Sequence, residues 1–131
     1  MVGTSLKSRE IKMKIFIIGS VRNATEEQTA LMEDYVKQLE EEGHQVHLPH
    51  RDTDQKGTGI EICTRNATAI EDSDEVHIFF DPDSFGSHFD LGTAWALNKR
   101  IKVASNIPYG EGKSFARFID EWEKQGVRNG S

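Results

Sequence analysis

"KIFIIGSVRNAT", residues 14–25, decides the fold. After one lysine it runs through four apolar residues without polar alternation and stops at Gly19. A strand with one wet face alternates, so an unbroken run of this kind belongs to a strand covered on both faces. Such a strand needs parallel neighbours reached through helical crossovers. The sequence downstream supplies them. Residues Glu26 to Glu42 place Leu31, Met32, Tyr35, Val36 and Leu39 at helical spacing, with Thr25 as N-cap and Gly43 as the stop. "QVHL" then reads as a second strand closed by Pro49, followed by a polar loop through Gly59 and a helix from about Ile60 to Glu71.

The same alternation continues to the end. "EVHIFF" (Glu75 to Phe80) reads as the third strand and "DPDSFGSHFDLG" (81–92) as the loop after it. "LGTAWALNKR" reads as a helix whose final cations suit its own C-terminal dipole. "IKVAS" is the fourth strand, and Lys113 to Trp122 form a last helix with Phe115, Phe118, Ile119 and Trp122 on one face. Strands alternating with helices predict an α/β fold: a single-domain Rossmann-like or flavodoxin-like parallel sheet of four or five strands flanked by helices. Residues 1–12 are polar and aperiodic and read as a loose tail or leader, with the domain spanning 13–131.

Bulk properties narrow the function. The 131 residues suit one domain, and a net charge of −6 without a Lys/Arg stripe argues against a nucleic-acid polymer as partner. The sequence has no run long enough for a membrane span and no apolar core of a secretory signal, and its single cysteine cannot close an internal disulfide. A cytoplasmic protein is the expectation. His44, His47 and His50 are spaced so that an extended chain turns neighbouring members to opposite faces, so no metal site is expected.

Ligands of open parallel sheets settle beyond the carboxyl ends of the strands, where crossovers diverge. The loops after the first and third strands meet there. Gly19, Ser20 and Arg22 combine close backbone approach, a hydroxyl and a cation ahead of a helix N-terminus, which suits an anion, although Gly-Ser also serves an ordinary turn. In the second loop Asp90 reads as a residue at the start of a helix, where the dipole favours its ionised form by about 0.3 to 1 kcal/mol. That makes it either a nucleophile or a first-turn acid. Ser84 and Ser87 read as ligand groups or caps, and His88 as an exposed first-turn residue.

"IFIIGSVR", "TRNATAIEDSDEV" and "DSFGSHFDLGTAWALNKRI" resemble the nucleoside 2-deoxyribosyltransferase family, most closely its branch of 2'-deoxynucleoside 5'-phosphate N-hydrolases, over residues 14 to 119. The resemblance implies a parallel sheet between helices, a carboxylate nucleophile that cleaves an N-glycosidic bond, a small-molecule nucleotide substrate, no cofactor, and a homodimer with sites near the subunit contact. It places Gly19, Ser20, Val21, Arg22, Asn23, Ala24 and Thr25 in a substrate-binding loop and Asp90 on the nucleophile. Gly86, Ser87 and His88 fall in the motif beside it. Ser84 falls on a serine that contacts the 5'-phosphate, and Ser114, Phe115 and Ala116 on a segment that reaches the phosphate across the dimer. Two positions depart from the family pattern: Asp90 stands where Glu is usual, and Asn66 where an Asp faces the leaving base. Asn66 cannot supply an acidic proton, which leaves His88, Glu71 or Asp72 as replacement acids. Hydrolysis of a (deoxy)nucleoside monophosphate is the leading expectation, with base exchange or nucleotide binding without chemistry as alternatives.

Overall fold

The computed structural model describes residues 11–22, 24–105 and 114–128. Four strands, β1 (Lys14–Ile18), β2 (Gln45–His47), β3 (Glu75–Ile78) and β4 (Arg100–Val103), form one sheet in the order β2-β1-β3-β4. Every pairing is parallel, with Phe16 facing His47 on one side and Val76 on the other. Five helices connect or follow them: α1 (Glu26–Glu41), α2 (Pro49–Asp52), α3 (Gly59–Asp72), α4 (Phe85–Ala96) and α5 (Phe115–Gln125). The expected architecture is the one found. Of the expected tail only Ile11 and Lys12 are described, and the Lys12 backbone N–H bonds Gly43 O at 3.2 Å.

β1 is buried on both faces, as its apolar run requires. Ile15 and Ile17 pack with Val36, Val46 and Leu48 toward α1. Phe16 and Ile18 turn the other way, into a larger core with Ile70, Leu91, Ala94, Ile119 and Trp122 from α3, α4 and α5. The first and third helices each start on a capping box, Thr25 with Gln28 and Thr58 with Glu61. Gly43, at φ 100°, supplies the left-handed residue that ends α1.

Three expectations need correction. The stretch after β2 is not all loop, because Pro49 occupies the first turn of a short helix whose Asp52 carboxylate accepts the Leu48 N–H at 2.8 Å. α4 begins at Phe85, six residues before the expected Leu91, because Ser84 caps it by accepting the Ser87 N–H. The same helix ends at Ala96: Asn98 adopts φ 57° and is pinned by the Arg128 N–H at 2.8 Å. Lys99 and Arg100 therefore lie outside α4. The Lys99 ammonium instead donates to Glu71 O and Ser73 O, at the C-terminal end of α3.

On the α1 side of the sheet lies a buried polar chain. His77 Nε2–H faces the Glu75 carboxylate at 2.7 Å, which leaves Nδ1 to accept from the Tyr35 hydroxyl at 2.6 Å. Burial pulls the His77 pKa down against the raising effect of Glu75, and it pushes the Tyr35 phenol up to about 12. Tyr35→Phe strands the His77 nitrogen in the core and is expected to cost about 1 to 3 kcal/mol in urea denaturation. An unchanged midpoint would show that the chain adds nothing to stability.

Candidate active site

β1 and β3 share the centre of the sheet, and the crossovers leaving them diverge, so their C-terminal loops open a crevice between them. The crevice is a cleft of about 430 Å³. Gly19, Ser20, Val21 and Arg22 line one side, Ser84, Gly86, Ser87 and Asp90 another, and Asn66 and Cys63 come from α3. Gly19 permits a close approach: a Cβ there would sit 2.6 Å from Met32 Sδ. Arg22 is exposed at the rim, and Ser20 is buried.

Asp90 sits in the second turn of α4, not at its start. The dipole argument for an ionised carboxylate therefore fails, since that field fades beyond the first turn. Asp90 is 8% exposed and makes no hydrogen bond or ion pair with any described residue. Burial alone pushes its pKa up to about 7. At neutral pH it is divided between a proton donor and a charged carboxylate.

The N-terminus of α4 opens beside it. Ser84 accepts the Ser87 N–H at 3.2 Å, and its own hydroxyl proton is not committed to any described residue. Ser87 is 3% exposed, and its hydroxyl has no partner at all among the described residues. Two hydroxyls and the free N–H groups of a helix's first turn make a cradle for an anion without any lysine.

Asn66 is buried in α3, and its Oδ1 accepts from the Thr53 hydroxyl at 2.7 Å. Thr53 in turn meets His47 Nε2 at 2.8 Å. The sequence singled out His47 only for a metal site it argued against, and Thr53 not at all, because only the folded chain brings β2 and the loop after α2 against α3.

Other expected site residues lie elsewhere. Thr25 is the N-cap of α1, and Ala24 lines a smaller hollow with Phe79, Phe80 and Asp81. Asn23 falls outside the described residues. His88 is half-buried rather than exposed: its Nδ1 bonds Ser84 O at 2.7 Å and its ring packs on Phe80 and Phe115. Glu71 and Asp72 are exposed at the end of α3 and line a different groove. None of the three replacement acids lines the cleft. Ser114 caps α5 by accepting the Arg117 N–H, Ala116 is buried in the core, and Phe115 is 56% exposed. None of these three residues lines the cleft. The three spaced histidines sit just before β2, in β2 and in α2, and among the described residues no three His, Cys, Asp or Glu side chains group so as to hold a metal ion.

No family model and no curated protein matches the sequence. Solved structures do. A CMP N-glycosidase of Clostridium botulinum superposes with a TM-score of 0.56 at 24% identity, over 69% of this chain and 69% of that one. A 2-deoxyribosyltransferase from the psychrotolerant bacterium Bacillus psychrosaccharolyticus gives 0.59 at 19%, over 72% and 77%. A third, the 2-desoxiribosyltransferase of Leishmania mexicana, gives 0.53 at 22%, over 72% and 67%. The chain has the nucleoside 2-deoxyribosyltransferase fold. Its cleft lies at the diverging crossovers of that fold, with Asp90 rising into it from α4. Among the described residues no helix is long and apolar enough to cross a membrane.

Proposed function

We propose that the protein is a member of the nucleoside 2-deoxyribosyltransferase family and an N-glycosidase that releases the base from (deoxy)nucleoside 5'-monophosphates. One observation carries this reading: a buried carboxyl with no partner, Asp90, shares a cleft with an orphaned buried hydroxyl, Ser87, at the N-terminus of α4. The volume suits a small molecule of nucleotide size. The names of the three neighbours, which are a nucleotide glycosidase and two deoxyribosyltransferases, support the same chemistry.

In this mechanism the phosphate rests on the Ser84 and Ser87 hydroxyls and the first N–H groups of α4. The ionised Asp90 attacks C1' while the glycosidic electron pair leaves with the base, which takes a proton from solvent. Water then adds to C1' and displaces Asp90, giving a sugar 5-phosphate and free base.

The test is a panel of ribo- and deoxyribonucleoside monophosphates, analysed by chromatography for free base. An added acceptor base separates hydrolysis from the exchange that two neighbours are named for. Cys63, the one cysteine, lines the cleft, so a bound nucleotide should slow its alkylation. No base release combined with such protection would favour a binding protein without chemistry.

A second copy of the chain belongs to this reading. α4 carries Phe85 and Phe89 at the edge of the cleft, at 89% and 55% exposure, and Phe115 stands next to His88 at 56%. Three exposed aromatics at a cleft mouth suit a homodimer in which Ser114 of each copy approaches the other's phosphate. Phe89→Glu is expected to give a monomer in sedimentation analysis and to lower kcat/KM; a wild-type monomer would exclude the dimer. The lone cysteine, with no internal disulfide to form, goes with a cytoplasmic location.

A further inference from the structure

Asn66 offers the cleft either a donor or an acceptor, depending on which end of its carboxamide is held from behind. The end held is Oδ1. It accepts the only proton of the Thr53 hydroxyl at 2.7 Å, so the Thr53 oxygen must itself accept from His47, whose Nε2 lies 2.8 Å away. His47 is fixed independently: its ring stacks on Phe16 of β1 at 5.2 Å between centroids and 10° between planes. Thr53 is 4% exposed and Asn66 8%, so the bond between them is buried, while His47 is partly exposed.

We propose that His47 and Thr53 are positioning residues that hold Asn66 with its Nδ2H2 toward the cleft, so that the site recognises a base by an acceptor next to the glycosidic nitrogen, such as the pyrimidine 2-carbonyl. The inference rests on the glycosidase reading above. It explains how a site with Asn66 in place of an acid assists departure. As the C1'–N bond opens, the electron pair spreads from the ring nitrogen to the neighbouring acceptor, and a fixed donor binds that atom more tightly in the transition state than in the ground state. The base leaves as a hydrogen-bonded anion and is protonated by water afterwards. A base of this kind needs a donor there, not a proton. Because burial lowers the His47 pKa, the ring is neutral at pH 8, and its tautomer reports the direction of the chain.

Two measurements test this. Nitrogen-15 NMR of the free protein at pH 8 should show His47 as the Nε2–H tautomer; the Nδ1–H tautomer would mean that Thr53 donates to the ring and that Asn66 faces the cleft with its oxygen, which overturns the proposal. In hydrolysis of CMP, Thr53→Val should lower kcat roughly tenfold or more with little change in KM, because the donor is misplaced at the moment of bond breaking. Thr53→Ser, which keeps the hydroxyl, should stay within about twofold of the parent. Equal losses in both variants, or a loss confined to KM, would reduce Thr53 to a packing residue. If the wild-type protein releases no base from any nucleotide, the glycosidase reading fails, and the tautomer still decides which way Asn66 is held.

Discussion

Asp90→Asn is expected to abolish turnover and, at pH 8, to leave the protein more stable than its parent. The two effects have one origin. The fold holds the Asp90 carboxyl in a buried position where nothing among the described residues pairs with it, and this raises its pKa from 3.8 to about 7. Between those values the folded state retains a proton that the unfolded chain has released, so stability falls as pH rises through the window. Above pH 7 the whole penalty remains. At about 1.4 kcal/mol per pH unit the gap amounts to about 4 kcal/mol, and relaxation of the cleft around the charge reduces it. Asn cannot ionise, so the variant should gain about 2 to 4 kcal/mol in urea denaturation at pH 8, and the gain should vanish below pH 4. Loss of the nucleophile should cut kcat by about a thousandfold or more. In the parent, kcat/KM should climb with pH up to about 7, as the attacking form appears. A stability difference independent of pH, or a variant that still turns over, would mean that Asp90 only fills space in α4.

β1 was legible because both of its faces are apolar: the run after Lys14 in "KIFII" cannot be read as anything wetter, and its parallel pairing with β3 follows from the helices between them. α1 announced itself through Thr25 and a regular apolar stripe. α4 did not, and the reason is the site itself. Its first two turns bury Ser84, Ser87 and Asp90 and expose Phe85 and Phe89, which inverts the pattern that marks a helix on a core. Polar residues with Gly86 among them read as a loop. The inversion is what a helix looks like when its first turns line a polar cleft.

The cleft was legible as two loops but not as a network. Gly19 to Arg22 and Ser84 to Asp90 each carry local chemistry in a strand-to-helix connection, and the topology of the sheet brings them together. Thr53 and His47 carry no such mark. A threonine in a polar loop and a histidine in a short strand become partners of Asn66 only through contacts 13 and 6 residues apart along the chain. Likewise the role of Lys99 was misplaced because an i-to-C-terminus rule sees only the helix that the residue follows, while its ammonium serves the end of α3, 26 and 28 residues earlier.

Ser87→Ala is expected to separate phosphate recognition from catalysis. The parent hydroxyl is buried without a partner, so its removal should cost the free protein nothing in stability and add up to about 1 kcal/mol. A nucleotide loses a charge-assisted hydrogen bond worth about 1.5 to 3 kcal/mol, whereas the matching nucleoside has no group at that position to lose. The ratio of kcat/KM for CMP over cytidine should therefore drop roughly tenfold to a hundredfold, with the rate on cytidine unchanged. Ser84→Ala would make a poorer control, because Ser84 also caps α4 and its loss weakens the helix for both substrates. A buried hydroxyl left without a partner is a cost that a fold retains only where something else supplies the missing bond. If nucleotide and nucleoside lose rate equally in Ser87→Ala, that something is not a phosphate.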